Sequence, residues 1–376
     1  MKKCIVISDS FKGTLSSLAI CQIAKKSIPA FFPACEVVAV PVADGGEGTV
    51  DCFIQAIGAM PVEVEATGPY GEPIRAVYAR KGNKAIIEMA CAAGLPMVGE
   101  RKDPSRTTTF GVGQVIRHAV EHGCREILLG LGGSATNDGG CGCAAALGVE
   151  FLDEAGNAFV PVGGNLEKIC RMDLSQAKTM LDGVTITVMC DVDNPLYGPR
   201  GAAHIFAPQK GADEEMVELL DRQLQALDGA FRKELGLSVA QMPGAGAAGG
   251  MGGGCVAFLG ANLKPGIEAV LDMVDFDRLL EGADLVITGE GRIDAQSIHG
   301  KVISGIARRT APLKVPLVAI VGSIHESAVE AYDLGVTAMF GIDRDATAFE
   351  TYAHRSGEYY RRTLEDVLRL IRGMNL

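Results

Sequence analysis

The sequence predicts an α/β protein of two domains. One is a doubly wound parallel sheet assembled from both chain ends, and the other is an inserted mixed α/β domain. Three observations carry this. Both ends repeat a short apolar run, a polar or glycine-rich loop and an amphipathic helix, which is the rhythm of parallel strands with crossover helices. Residues 62–89 instead alternate apolar and polar positions at period two between Gly/Pro turns, the mark of antiparallel strands. The length of 376 residues exceeds the ~250–300 at which single cores stop growing.

At the N-terminal end, the run Cys4 to Ser8 predicts a buried strand and Ser16 to Ile28 a helix with Leu18, Cys21, Ile23 and Ala24 on its apolar side. Glu36 to Val42 predicts the next strand, followed by a helix from Thr49 to about Ile57. Val62 to Ala66, Ile74 to Arg80 and Lys84 to Met89 read as a meander. Phe110 to His122 reads as a helix and Glu126 to Leu131 as a strand, which opens into a glycine-rich loop and an alanine-rich helix. Val184 to Cys190 is a strand and Asp213 to Leu235 an amphipathic helix. Pro243 to Gly254 reads as a second glycine-rich loop. Strands return at Leu285 to Thr288, Val315 to Val321 and Val336 to Phe340, and a helix from about Phe349 to Arg372 closes the chain. The expected domains are residues 1–64 with 282–376, of the Rossmann or flavodoxin kind, and residues 65–281. Loops of both would face a shared cleft.

Composition excludes several function classes. The net charge of −11 disfavours a nucleic-acid partner. An anionic substrate would then need a local basic pocket, which draws attention to Lys and Arg residues in loops. The 11 cysteines form no C-x-x-C pair and read as reduced thiols of a cytoplasmic enzyme. Cys141 and Cys143 flank one glycine, but the partners of a structural zinc site are missing. No apolar run reaches the ~18 residues of a membrane span, and the chain begins with a strand rather than a signal peptide. His118 and His122 are spaced i, i+4, yet no Glu follows His118, so both are expected to face solvent.

Five loops have the composition that phosphate and metal chemistry needs. Asp9-Ser10-Phe11-Lys12-Gly13-Thr14 delivers an acid, a hydroxyl and a lysine to a strand end, and Lys12 can neutralise a phosphate or a carboxylate. In Asp44-Gly45-Gly46-Glu47-Gly48-Thr49 the glycines admit close backbone approach, and Asp44 could hold Mg²⁺ or activate a hydroxyl. Gly132 to Gly140 follows a strand, its backbone N–H groups can nest a phosphate chain, and Ser134 and Thr136 add hydroxyls. Cys190-Asp191-Val192-Asp193-Asn194-Pro195 offers Asp191 at a strand end as general base or magnesium ligand, while Asp193 and Asn194 read as turn formers. Pro208-Gln209-Lys210-Gly211 supplies another cation nearby. Gly289-Glu290-Gly291-Arg292-Ile293-Asp294, with Lys301 beyond it, alternates acids and cations, and Arg292 or Lys301 could bind a carboxylate. No Walker A motif, G-x-G-x-x-G fingerprint or G-x-S-x-G elbow occurs in usable context. That argues against a dinucleotide oxidoreductase and an α/β-hydrolase.

Seven stretches, taken in order, resemble the type 1 glycerate kinase family, the bacterial glycerate 2-kinases. They are SDSFKGT (8–14), PVADGGEGT (41–49), TTTFGVGQ (107–114), GLGGSATNDGG (130–140), CDVDNPLYGPRGAAHIFAPQKGA (190–212), PGAGAAGGMGGG (243–254) and ITGEGRIDAQSIHGK (287–301). The resemblance implies ATP and Mg²⁺, D-glycerate as acceptor, and 2-phosphoglycerate with ADP as products. On that footing the loops at 132–140 and 244–254 are expected to hold the nucleotide through Gly132, Gly133, Ser134, Thr136, Asn137, Gly249 and Gly250. Lys12, Arg292 or Lys301 would hold the substrate carboxylate, with Ser10 also in the substrate site. Asp191 would orient the reacting hydroxyl, with Lys12 and Asp44 as further catalytic residues, and Asp44 or Asp294 would help hold Mg²⁺.

Overall fold

The computed structural model describes residues 1–11, 13–42, 48–294, 302–344 and 353–374. Its chain divides into two compact units. One comprises Met1–Ala43, Gln55–Gly58 and Ile267–Leu376, and the other Asp44–Ile54 and Ala59–Gly266.

The first unit is built on a five-stranded sheet, ordered Ala338–Gly341, Leu317–Val321, Leu285–Thr288, Lys3–Ser8, Glu36–Pro41. Every pairing in it is parallel. In chain order this is 2-1-3-4-5, the flavodoxin-like winding, so the connections leave the first strand in opposite directions. Cys4 to Ser8 are fully buried, as an apolar run covered on both faces requires. One core joins Cys4, Val6, Leu285 and Ile287 to Ile20, Ala24 and Ile28 of the helix Ser17–Phe31 and to Tyr360, Leu364 and Val367 of the helix Ser356–Gly373. Ser16 starts the former helix by accepting from the Ala19 amide at 3.2 Å.

The second unit carries a six-stranded sheet, ordered Asn262–Lys264, Thr185–Met189, Glu126–Gly130, Lys84–Glu88, Pro73–Lys81, Met60–Thr67. The first four strands are parallel and the last two pairings antiparallel. Lys84–Glu88 therefore ends the meander and begins the parallel half. The helix Glu214–Leu235 buries Val217, Leu220, Leu224, Leu227 and Phe231, a stripe of helical period. Asp213 caps its start through the Met216 amide and Gly236 ends it in the left-handed region. Phe258 packs edge-on against Phe151 and Phe231.

Several local expectations change. Pro243 to Gly254 is not simply a loop, because Ala247–Leu259 is helical with a left-handed kink at Ala248, Gly249 and Gly250. Gly is a poor helix former, but a Cβ on Gly254 would lie 2.0 Å from the Gly139 carbonyl oxygen and one on Gly252 2.2 Å from that of Gly244. Tight backbone packing overrides propensity. The 289–294 loop contains a two-residue strand, Arg292–Ile293, paired with Ser323–Ile324. The last helix begins at Ser356 after a turn at Ala353–Arg355. His118 does not face solvent freely. It is half-buried, stacked on the exposed His122 at 3.9 Å with its Nδ1 3.5 Å from the Tyr78 hydroxyl. Burial, then the neighbouring His122, lowers its pKa.

Candidate active site

In an open parallel sheet, ligands bind beyond the carboxyl ends of the strands. In the second unit those ends stand in register at Glu88, Gly130, Met189 and Lys264. After Gly130 the glycine-rich loop is tied down on several sides. The Leu95 amide donates to the Gly133 carbonyl (2.7 Å), Ala135 to that of Ala93 (2.8 Å) and Gly139 to that of Gly249 (3.0 Å). Its deepest anchor is Asp138, fully buried, which accepts from the Thr109 amide and hydroxyl, both at 2.8 Å, and from the Gly140 and Gly142 amides at 3.1 and 3.2 Å. Burial pushes the Asp138 pKa up, while those four donors act the other way.

The strand next to the loop delivers Asp191, whose Oδ1 accepts from the Gly266 amide at 2.7 Å. Asp193 and Asn194 serve the turn. Asp193 pairs with Arg200 at 3.2 Å on the surface, and the Asn194 side chain donates to the Arg200 carbonyl.

A cavity of about 360 Å³ lies over these strand ends. Gly132, Gly133, Ser134, Asp191, Gln209 and Lys210 are on its wall. Lys210 is only 1% exposed, and its Nζ donates to the Ser134 hydroxyl at 2.8 Å and to the Thr136 carbonyl at 2.7 Å. Burial lowers its pKa to about 7, with the Asp138 charge opposing. The sequence singled it out only as an additional cation, because its partner Ser134 is 76 positions away and no local spacing joins them.

Thr136, Asn137, Gly249 and Gly250 are not on that wall. All four are buried. The Thr136 hydroxyl and both amide atoms of Asn137 have no hydrogen-bond partner among the described residues. A Cβ on Gly250 would lie 2.8 Å from Leu224 and 3.1 Å from the Gly139 Cα, so that glycine serves packing of loop on helix. Ala247 and Ala248, from the same helix, do reach the cavity.

In the first unit, Lys3–Ser8 and Leu285–Thr288 flank the point where the winding reverses. Their following loops are tied together: the Asp9 amide and the Ser8 hydroxyl both donate to the Gly289 carbonyl, at 2.9 and 3.0 Å. Ser10 sits here, its amide donating to Asp9 Oδ1 at 2.6 Å, and Arg292 lies 3.8 Å from Asp294 in a partly exposed ion pair. Ser10, Arg292 and Asp294 thus occupy adjoining strand ends. Lys12, Asp44 and Lys301 lie outside the described residues. Among those described, no three His, Cys, Asp or Glu side chains converge as a metal cluster. Cys141 and Cys143 are buried free thiols. None of the described helices is long and apolar enough to cross a membrane.

Comparison with known proteins agrees with this architecture and places the chain among phosphotransferases that use an alcohol group as acceptor. It belongs to the glycerate kinase family, whose model matches residues 4–372. It is 42% identical to the glycerate kinase of Bacillus subtilis (strain 168), over 97% of this chain and 96% of that one. It is 43% identical to the glycerate 2-kinase of Escherichia coli (strain K12), over 90% of each. A crystal structure of a putative glycerate kinase 2 from Salmonella typhimurium LT2 superposes with a TM-score of 0.87 at 39% identity, covering 100% of this chain and 99% of that one. The family read from the seven sequence stretches is the family found.

Proposed function

We propose that this chain transfers the γ-phosphate of ATP to D-glycerate, giving 2-phosphoglycerate and ADP. The observation that carries the reading is the cavity of the second unit. It sets a glycine loop, a hydroxyl (Ser134) and a strand-end carboxylate (Asp191) on one wall, in a chain that matches the family from residue 4 to 372. Phosphoryl transfer needs positioning and charge neutralisation more than covalent chemistry. Gly132, Gly133 and Ser134 approach the phosphates directly, and Thr136, Asn137, Gly249 and Gly250 hold the loop in the shape that allows it. Asp191 orients the attacking hydroxyl and accepts its proton. Ser10 and Arg292, with Lys12 and Lys301, hold the carboxylate that an acidic protein would otherwise repel.

Mg²⁺ takes oxygen ligands, commonly one or two carboxylates with phosphate oxygens completing the set. Strand-end carboxylates are hard oxygen donors of that kind, and Asp294 offers one in the first unit, so the residues fit. Asp44 or Asp294 would hold the ion, while Asp191 serves the hydroxyl. When bound, the ion would offset charge on the transferring phosphate. A cytoplasmic location belongs to the same reading, since all eleven cysteines are free thiols.

The test is ADP release with D-glycerate, glycolate, lactate and tartronate in parallel. D-Glycerate is expected to be the best acceptor by kcat/KM. Equal or better turnover of a two-carbon or mono-hydroxy acid would overturn the assignment.

A further inference from the structure

The mechanism above leaves a buried cation, Lys210, unused. Lys210 is held by the turn Pro208–Lys210, which Gly211 closes at φ +98°. A Cβ on Gly211 would lie 2.5 Å from the Lys102 Cβ, so the turn is packed tight and the side chain points inward by construction. Two of its three N–H donors go to Ser134 and to the Thr136 carbonyl. Neither partner is charged, and among the described residues the third donor has none. Asp138 is the acid whose charge acts on it, yet that carboxylate is already engaged by Thr109, Gly140 and Gly142. Burying a cation without a paired anion is costly. A cavity wall is where that cost has a use, because an incoming anion supplies the missing partner.

We propose that Lys210 grips the phosphate chain of the nucleotide, its ammonium linking the 132–136 loop to a phosphate oxygen when the cavity fills. This rests on the reading that the cavity takes ATP. It adds a residue that neither the loop motif nor the strand-end acids supply, and it gives the loop a moving part. Ser134 is freed from, or shares, its lysine as the ligand arrives. The low pKa supports the same picture. Near neutral pH the ammonium is partly deprotonated in the empty cavity, and a phosphate restores its charge. The other ionisable groups around it are Asp138 behind the loop, Asp191 and Cys190 on the cavity wall, and Lys102 over the Gly211 turn.

Two calorimetric measurements decide it, both with Mg²⁺ in the buffer. The first titrates ADP and tripolyphosphate into the wild-type protein at about pH 8, where ADP is fully ionised, in two buffers of different ionisation enthalpy. Proton uptake on binding is expected with both ligands, because only a protein group can then gain the proton. The second repeats this with Lys210→Met, an uncharged side chain of similar length. Affinity for both ligands should fall roughly ten- to a hundredfold, the worth of a charge-assisted hydrogen bond, and the uptake should vanish while circular dichroism stays that of the wild type. A wild-type protein that binds ADP without proton uptake, or a folded variant that binds within about threefold of wild type, overturns the role of Lys210 alone. A wild-type protein that binds neither ligand overturns the nucleotide reading of the cavity as well. Should the variant not fold, the wild-type uptake still decides.

Discussion

The carbonyl oxygen of Thr136 lies 2.0 Å from where a Cβ on Gly249 would sit. The phosphate-type loop and the glycine helix therefore meet backbone to backbone. Gly249 also has φ +67°, in the left-handed region that favours glycine. Gly249→Ala combines a clash with backbone strain and is expected to cost about 3–5 kcal/mol, seen as a lowered urea midpoint. Gly229 is the control. It is exposed inside the helix Glu214–Leu235 with nothing near its missing Cβ, so Gly229→Ala should stabilise by about 0.5–1 kcal/mol.

Asp191 accepts the Gly266 amide through Oδ1. Asn at this position keeps an acceptor oxygen there but loses the charge and basicity. Asp191→Asn should therefore retain its thermal midpoint to within a few degrees while kcat falls roughly 10²- to 10⁴-fold, the usual worth of a positioned base. Unchanged turnover in steady-state assays would remove Asp191 from the reaction.

Lys210 makes stability depend on pH. Its pKa falls from an ordinary 10.5 to about 7 on folding, so between these values the unfolded chain binds the extra proton. Stability then rises with pH through this window, by at most about 1.4 kcal/mol per pH unit. Above about pH 8.5 a second effect opposes it. Burial raises the thiols of Cys4 and Cys91, the latter to about 12, so stability is lost as unfolded thiols begin to ionise near 9. The clean interval is pH 7–8.5, where denaturant titrations should show the wild type gaining about 1–2 kcal/mol more than Lys210→Met. Parallel curves for the two proteins would mean that the lysine is charged throughout.

Much of the fold was legible because parallel strands are written as continuous apolar runs. Thr49–Ile57 and Leu285–Thr288 start and stop where the sequence puts them. The glycine helix was not legible, since twelve residues rich in glycine look like a loop until another backbone is known to press on them. The small sheet of Glu150–Leu152, Ala158–Phe159 and Arg171–Asp173 is too short for a period to show. For the candidate site, strand ends and glycines pointed to Ser134 and Asp191, and both line the cavity. The same glycine signal also drew in Gly249 and Gly250, whose missing side chains make room for Thr136 and Gly139. Lys210 was hidden because its importance lies in burial and in a contact across the sequence, neither of which composition records.

The central claim is regiospecific transfer to glycerate, and phosphorus NMR of the product formed from D-glycerate and ATP tests it most directly. The account predicts one new phosphomonoester on the secondary hydroxyl, coupled to a single proton and formed in step with ADP. A phosphorus signal coupled to the two methylene protons, that of 3-phosphoglycerate, or no phosphoglycerate at all, would contradict it.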